Sequence, residues 1–107
     1  MTNVGHMVLT VLEARVPAEK AGALEAGYHI LATRPLPPGL VSSRLVRSTI
    51  DEGLWRLETV WRDREALEAM RSRGTPAGLQ LFRDQGIEPT VSLLEVVASI
   101  PHERRSG

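Results

Sequence analysis

The stretch Leu54–Ser72, LWRLETVWRDREALEAMRS, constrains the fold more than any other part of this chain. Trp55, Leu57, Thr59 and Trp61 alternate with Arg56, Glu58, Val60 and Arg62. In a strand, successive side chains point to opposite faces, so both tryptophans share one face and the charges lie mostly on the other. After Trp61 the period changes. Asp63 is placed to cap a helix by accepting a backbone N–H, and Glu65 suits the positive helix start. Leu67 and Met70, with Ala66 and Ala69, make an apolar stripe at helical spacing that ends at Gly74. A strand that ends in Trp and turns at once into an amphipathic helix needs a sheet with a helix packed on it.

The other elements fall around this unit. Met7–Val16 is expected to be the first strand, apolar on both faces. Pro17 opens a helix that runs to about Thr33 and buries Ala21, Leu24, Tyr28 and Leu31. Arg34 precedes Pro35 and leaves helical geometry. Gly22 and Gly27, costly in a helix interior, imply close packing. The short loop RPLPPG (residues 34–39) leads to a second strand, Leu40–Ile50. Asp51-Glu52-Gly53 then makes a hairpin turn, with Gly53 expected at positive φ. Thr75 is expected to cap a short helix with Pro76 at its first position, Leu79 and Phe82 inside and Gly86 at its end. The last strand spans Thr90–Ile100, and 101–107 is a frayed polar tail. The whole reads as one domain, 1–107, with its core in 7–100.

The order β-α-β-β-α-β is the ferredoxin-like α+β arrangement, an antiparallel sheet with its helices on one face. Leu94, Val96 and Ala98 are expected on the helix face with the tryptophans. The opposite face is expected to carry Glu13, Glu58 and Glu95 among Leu9, Val11, Leu93 and Val97, with Arg15, Arg56 and Arg47. Such a face is too apolar for water and too charged for a core. Two sheets stacked face to face, with carboxylates paired to arginines, satisfy both requirements, so a homodimer is expected.

Composition excludes several functions. Lys+Arg and Asp+Glu balance to zero net charge, which argues against nucleic acid or an anionic membrane as partner. There is no cysteine for a disulfide, a thiolate nucleophile or a thiolate metal site. No apolar run approaches the roughly 20 residues of a membrane span, and MTNVGHMVLTVLEARV lacks the pattern of a signal peptide. A cytoplasmic protein is expected. Glycine-rich phosphate loops and G-x-S-x-G elbows are absent. His6, His29 and His102 are not grouped, so no metal site is expected.

Over Met7–Ser99 the chain resembles the antibiotic biosynthesis monooxygenase (ABM) family of dimeric α+β barrels in element order and spacing. The best local match is TVWRDREALEAM, Thr59–Met70, a strand-end Trp followed by a capped helix. The family includes cofactor-independent oxygenases of aromatic polyketide quinols or anthrones, quinol monooxygenases, haem-degrading enzymes and members without known reaction. Many relatives carry His where this chain has Met70. Haem-degrading members have an axial His one short helix later and an Asn late in the first strand. The matching places here are the neighbourhood of Gln80 and Ala14, so the resemblance implies no haem ligand and no cofactor.

The resemblance implies a pocket between helices and sheet holding a small aromatic ligand. Trp61 is its strongest candidate wall, with an indole N–H able to reach a ligand oxygen; its plainer reading is a core aromatic. Tyr28 is a candidate to orient a substrate hydroxyl, and His29 to act as general base, or else as an exposed spectator. Thr59, Trp55, Met70 and Phe82 are expected to line the pocket. The function expected is cofactor-free monooxygenation of a phenol or quinol. The alternatives are a non-catalytic binding dimer, or an isomerase or cyclase using the same pocket.

Overall fold

A computed structural model describes residues 6–101. The tail with His102, Arg104 and Arg105 therefore lies beyond the described residues, save Pro101. The elements are β1 (Val8–Arg15), α1 (Ala18–Ala32), β2 (Leu40–Arg47), β3 (Leu54–Trp61), α2 (Arg64–Arg71), α3 (Ala77–Arg83) and β4 (Thr90–Glu95). The sheet order is β2-β3-β1-β4, with every neighbouring pair antiparallel. All three helices lie on one face, the ferredoxin-like α+β arrangement that the alternation of periods implies.

Apolar cores form on the helix side in two groups. Around Leu24 of α1 and Phe82 of α3, both fully buried, gather Ala14, Val16, Trp55, Leu57 and Leu81. Tyr28, Leu31 and Ala21 pack against this group, as the 3.6-residue stripe requires. The second group is Val8, Trp61, Ala66 and Leu67, with Leu40, Met70 and Leu93 beside it. Asp63 caps α2 by accepting the Ala66 N–H at 2.9 Å. Gly39, at φ +86°, brings the RPLPPG loop so close that a Cβ there would overlap the Ala66 methyl. Gly27 lets Leu81 of α3 approach α1, since an added Cβ would sit 2.6 Å from its Cδ1. Gly22 has open space around it and no packing reason.

Several expectations need correction. In β4, Val91, Leu93 and Glu95 align with Leu12, Thr10 and Val8, so they face the helices; Leu94 and Ser92 face outward. Glu95 therefore does not join Glu13 and Glu58. The run TVSLLEVVAS is apolar in both alternating sets, so periodicity cannot choose its face, and a one-residue slip inverts every side chain. Arg47 aligns with Trp55 and lies over its ring at 5.4 Å, on the helix side. β2 ends at Arg47, where Ser48 Oγ accepts the Ile50 and Asp51 N–H groups and turns the chain. Gly53 is not among the positive-φ glycines; Asp51 builds the turn instead, accepting from Gly53 and Leu54. Pro17 and Pro76 precede their helices at extended ψ rather than opening them, and Thr75 caps nothing. Leu81, not Leu79, joins Phe82 as a buried residue of α3.

Candidate functional site

Strand register lays the helix-side face of the sheet out in rows. Across β2, β3 and β1, one row is Leu40, Trp61 and Val8 and another is Leu45, Leu57 and Leu12, both apolar over these three strands. The row between them is Ser43, Thr59 and Thr10. It separates the two apolar groups, one under α1 and α3 and the other under α2. α1 leans on α3 and α2 packs on β3. The hydroxyl row therefore lies between the two apolar groups, with Tyr28 packed against one and Trp61 buried in the other.

Hydrogen bonds join this row into a network. The Tyr28 phenol and Ser43 Oγ are hydrogen-bonded at 3.1 Å, and Thr59 Oγ1 lies 3.4 Å from the same serine oxygen. Trp61 Nε1–H donates to Thr10 Oγ1 at 3.3 Å, and Thr10 in turn donates to the Thr59 carbonyl at 3.4 Å. Ser43 is exposed, Tyr28, Thr59 and Thr10 are half-buried, and the Trp61 ring is 4% exposed. Polarity thus increases from a dry indole to a solvent-facing serine. No charged side chain is buried among the described residues.

Of the residues expected at the site, the structure brings together Tyr28, Thr59 and Trp61. His29 lies at the surface of α1, 3.8 Å from Glu25, and touches the Tyr28 ring only edge-on. Trp55 is buried beneath Arg47, and Phe82 is wholly enclosed by the core, so neither joins the hydroxyl row. Met70 packs beside Trp61 and also lines a separate cavity of about 240 Å³ against Pro37, Pro38, Arg62 and Arg73. A second cavity, about 270 Å³, opens near Arg47, Arg56 and Glu58. Ser43 and Thr10 were missed. Thr10 is a lone hydroxyl on an apolar strand face and Ser43 shares its face with Leu45 and Arg47, signals that gain meaning only once the register sets both beside Thr59. Among the described residues, no group of three His, Asp or Glu side chains is placed to hold a metal ion.

The model of one family, antibiotic biosynthesis monooxygenase, matches residues 7–75, from β1 to the loop after α2. The chain belongs to this family. No curated protein matches it in sequence. ABM folds of known structure superpose over nearly its full length. A Caulobacter crescentus protein grouped with these monooxygenases is 23% identical, with 88% of this chain and 92% of that one covered, at a TM-score of 0.69. SnoaB, a cofactor-independent oxygenase from Streptomyces nogalater, is 19% identical, with coverages of 92% and 100% and a TM-score of 0.62. A haem-degrading protein of Mycobacterium tuberculosis is 23% identical, with coverages of 89% and 97% and a TM-score of 0.61. At such identities the likeness establishes the ABM fold; chemistry has to be argued from the residues present.

Proposed function

We propose that this protein is an oxygenase-type enzyme that takes an aromatic phenol, quinol or anthrone of polyketide-like shape against the hydroxyl row between the two apolar groups. The observation that carries this reading is the hydroxyl row between two apolar groups. It suits a flat, mostly apolar ligand with a polar edge. In the proposed reaction the ionised substrate transfers an electron to dioxygen directly. For an anthrone, one oxygen atom becomes the new carbonyl and the other leaves as water with the two hydrogens of the oxidised carbon. The chain's part is to bind the ring, orient it and hold donors at the oxygen where charge develops. Tyr28, Ser43 and Thr59 are proposed for that edge, with Trp61 as the wall that fixes Thr10. His29, Trp55 and Phe82 have no part in it.

Haem, the substrate of the mycobacterial relative, does not suit the residues present. His6 and His29 are the described histidines, and both are exposed at the surface. The Gln80 side chain is exposed and donates to Asp84. Neither described histidine hydrogen-bonds to Ser43, Thr59 or Thr10.

The absence of any buried charged group among the described residues favours a second reading, a ligand-binding protein of the same fold without turnover. Oxygen consumption with a panel of anthrones and quinols separates the two. The oxygenase reading expects protein-dependent uptake with equimolar product, reduced by Thr59→Val. Thermal stabilisation by the same compounds with no uptake would assign the protein to the second reading.

A further inference from the structure

The cavity of about 240 Å³ beside Met70 shares no lining residue with the hydroxyl row. One wall is Pro37 and Pro38, whose rings restrict the backbone. Two contacts hold that wall against α2. The Arg62 N–H donates to the Gly39 carbonyl at 2.7 Å, and Gly39 sits where a Cβ would overlap the Ala66 methyl. The opposite wall is one face of α2 and the turn after it, where Ala66, Ala69, Met70 and Arg73 recur at spacings of three and four residues. Ala66 and Ala69 leave the space open, and a longer side chain at Ala69 would fill it.

Charge divides the cavity into two ends. Where α2 begins, Arg62 pairs with Asp63 at 3.3 Å, and Glu65 has no ion pair among the described residues. That end repels an anion. About two turns further along, Arg73 is exposed, and its guanidinium has no hydrogen-bond or ion-pair partner among the described residues. Arg71, by contrast, is paired with Glu68 at 3.4 Å and does not line the cavity. We propose that this cavity binds a small carboxylate with an apolar aryl or branched alkyl body. The body lies between the prolines and Met70, over the alanines, and the carboxylate takes Arg73. A guanidinium fork matches a carboxylate in geometry and charge, and a thioether suits an apolar or aromatic neighbour. The cavity is smaller than those that enclose drug-sized ligands, so the occupant is limited to a single small ring or its equivalent. This site does not depend on the reaction proposed at the hydroxyl row.

The probe is benzoate, with benzamide as its neutral counterpart and acetate as a carboxylate without the ring. Titration of the isotope-labelled full chain, followed through backbone amide shifts by NMR, reads affinity and location together. Benzoate is expected to move the amides of Gly39, Ala69 and Met70. It should bind roughly tenfold more tightly than benzamide, because a hydrogen bond to a charged acceptor contributes more than one to a neutral acceptor. Acetate should bind more weakly than benzoate. Arg73→Gln should bring benzoate down to the affinity of benzamide, while Arg71→Gln should leave it unchanged. Ala69→Leu should weaken benzoate by roughly tenfold or more with Arg73 intact, since it fills the space. All three positions are exposed, and the spectrum of each variant reports whether it has folded. Benzoate affinity unaltered by Arg73→Gln or by Ala69→Leu would overturn the proposal. So would acetate binding as tightly as benzoate, which would reduce the contact to charge alone. Shifts confined to Ser43, Thr59 and Thr10, or no shift at millimolar concentration, would also overturn it; the first of these would place the ligand at the hydroxyl row instead.

Discussion

Trp61 joins packing to polarity within one side chain. Its ring closes the smaller core group beside Ala66 and Leu67, and its N–H is held by Thr10, which holds the Thr59 carbonyl. Trp61→Ala should destabilise the fold by about 3–5 kcal/mol, as removal of a buried aromatic ring generally does. Trp61→Phe keeps most of the ring but leaves Thr10 Oγ1 without its donor, a loss of about 1 kcal/mol. Urea denaturation measures both. If Trp61→Phe is nearly as stable as the parent yet changes ligand affinity or oxygen uptake, the indole N–H acts on the site through Thr10 and Thr59. If stability and affinity both recover, the residue is packing alone. Trp61 was recognisable as a strand-end aromatic on the helix face; its partner Thr10 was not, because 51 residues separate them.

At the scale of elements, the β2–β3 hairpin is tied to the end of β1. Arg15 binds Asp51 through both guanidinium nitrogens, and this hydrogen bond holds the Asp51 carboxyl below the usual carboxylate range. A carboxylate with a depressed folded pKa contributes stability above its unfolded pKa of about 3.8 and loses it as pH falls through the lower folded value. Asp51→Asn should therefore lower the thermal midpoint slightly at pH 7 and not at pH 2. The fall in midpoint between those two pH values should shrink by roughly a degree or two, since exposed pairs contribute little. Thermal melts at the two pH values measure it. The acid limb should not vanish, because Arg83 depresses Glu88 in the same way at the end of α3. Helix stripes were legible from spacing, and Asp63 from its place before an apolar run. The hairpin was misjudged because Asp51, rather than Gly53, organises the turn.

For the whole molecule, the outer sheet face sets the question of assembly. It carries Leu9, Val46 and the exposed Leu94 beside Val11 and Val60, which are already buried in the single chain, together with two ion pairs, Glu13–Arg56 at 2.6 Å and Glu58–Arg44 at 3.7 Å. Apolar surface mixed with already paired charges is suited to a second sheet of the same kind. The expectation is a homodimer through this face. Sedimentation velocity at micromolar concentration should show it, and a stable monomer would refute it. Glu58→Lys, which sets a cation beside Arg44, should weaken association by roughly tenfold or more. Glu95→Lys should not, because Glu95 lies on the helix side. An equal effect of the two substitutions would mean that association uses another surface.

The residues in order dictated which segments are strands and helices, and which face of β3 is buried. These depend on periodicity and capping within a few positions, which local geometry decides. The register of β4, the irregularity at Leu40–Ser42 of β2 and the meeting of Ser43, Thr59 and Thr10 came only with the assembled sheet. A period of two determines which residues of a strand share a face. It does not determine which face that is, or which residue of a distant strand lies opposite. Those are settled when hydrogen-bond ladders and packing on the helices select one pairing among several that the alternation allows equally.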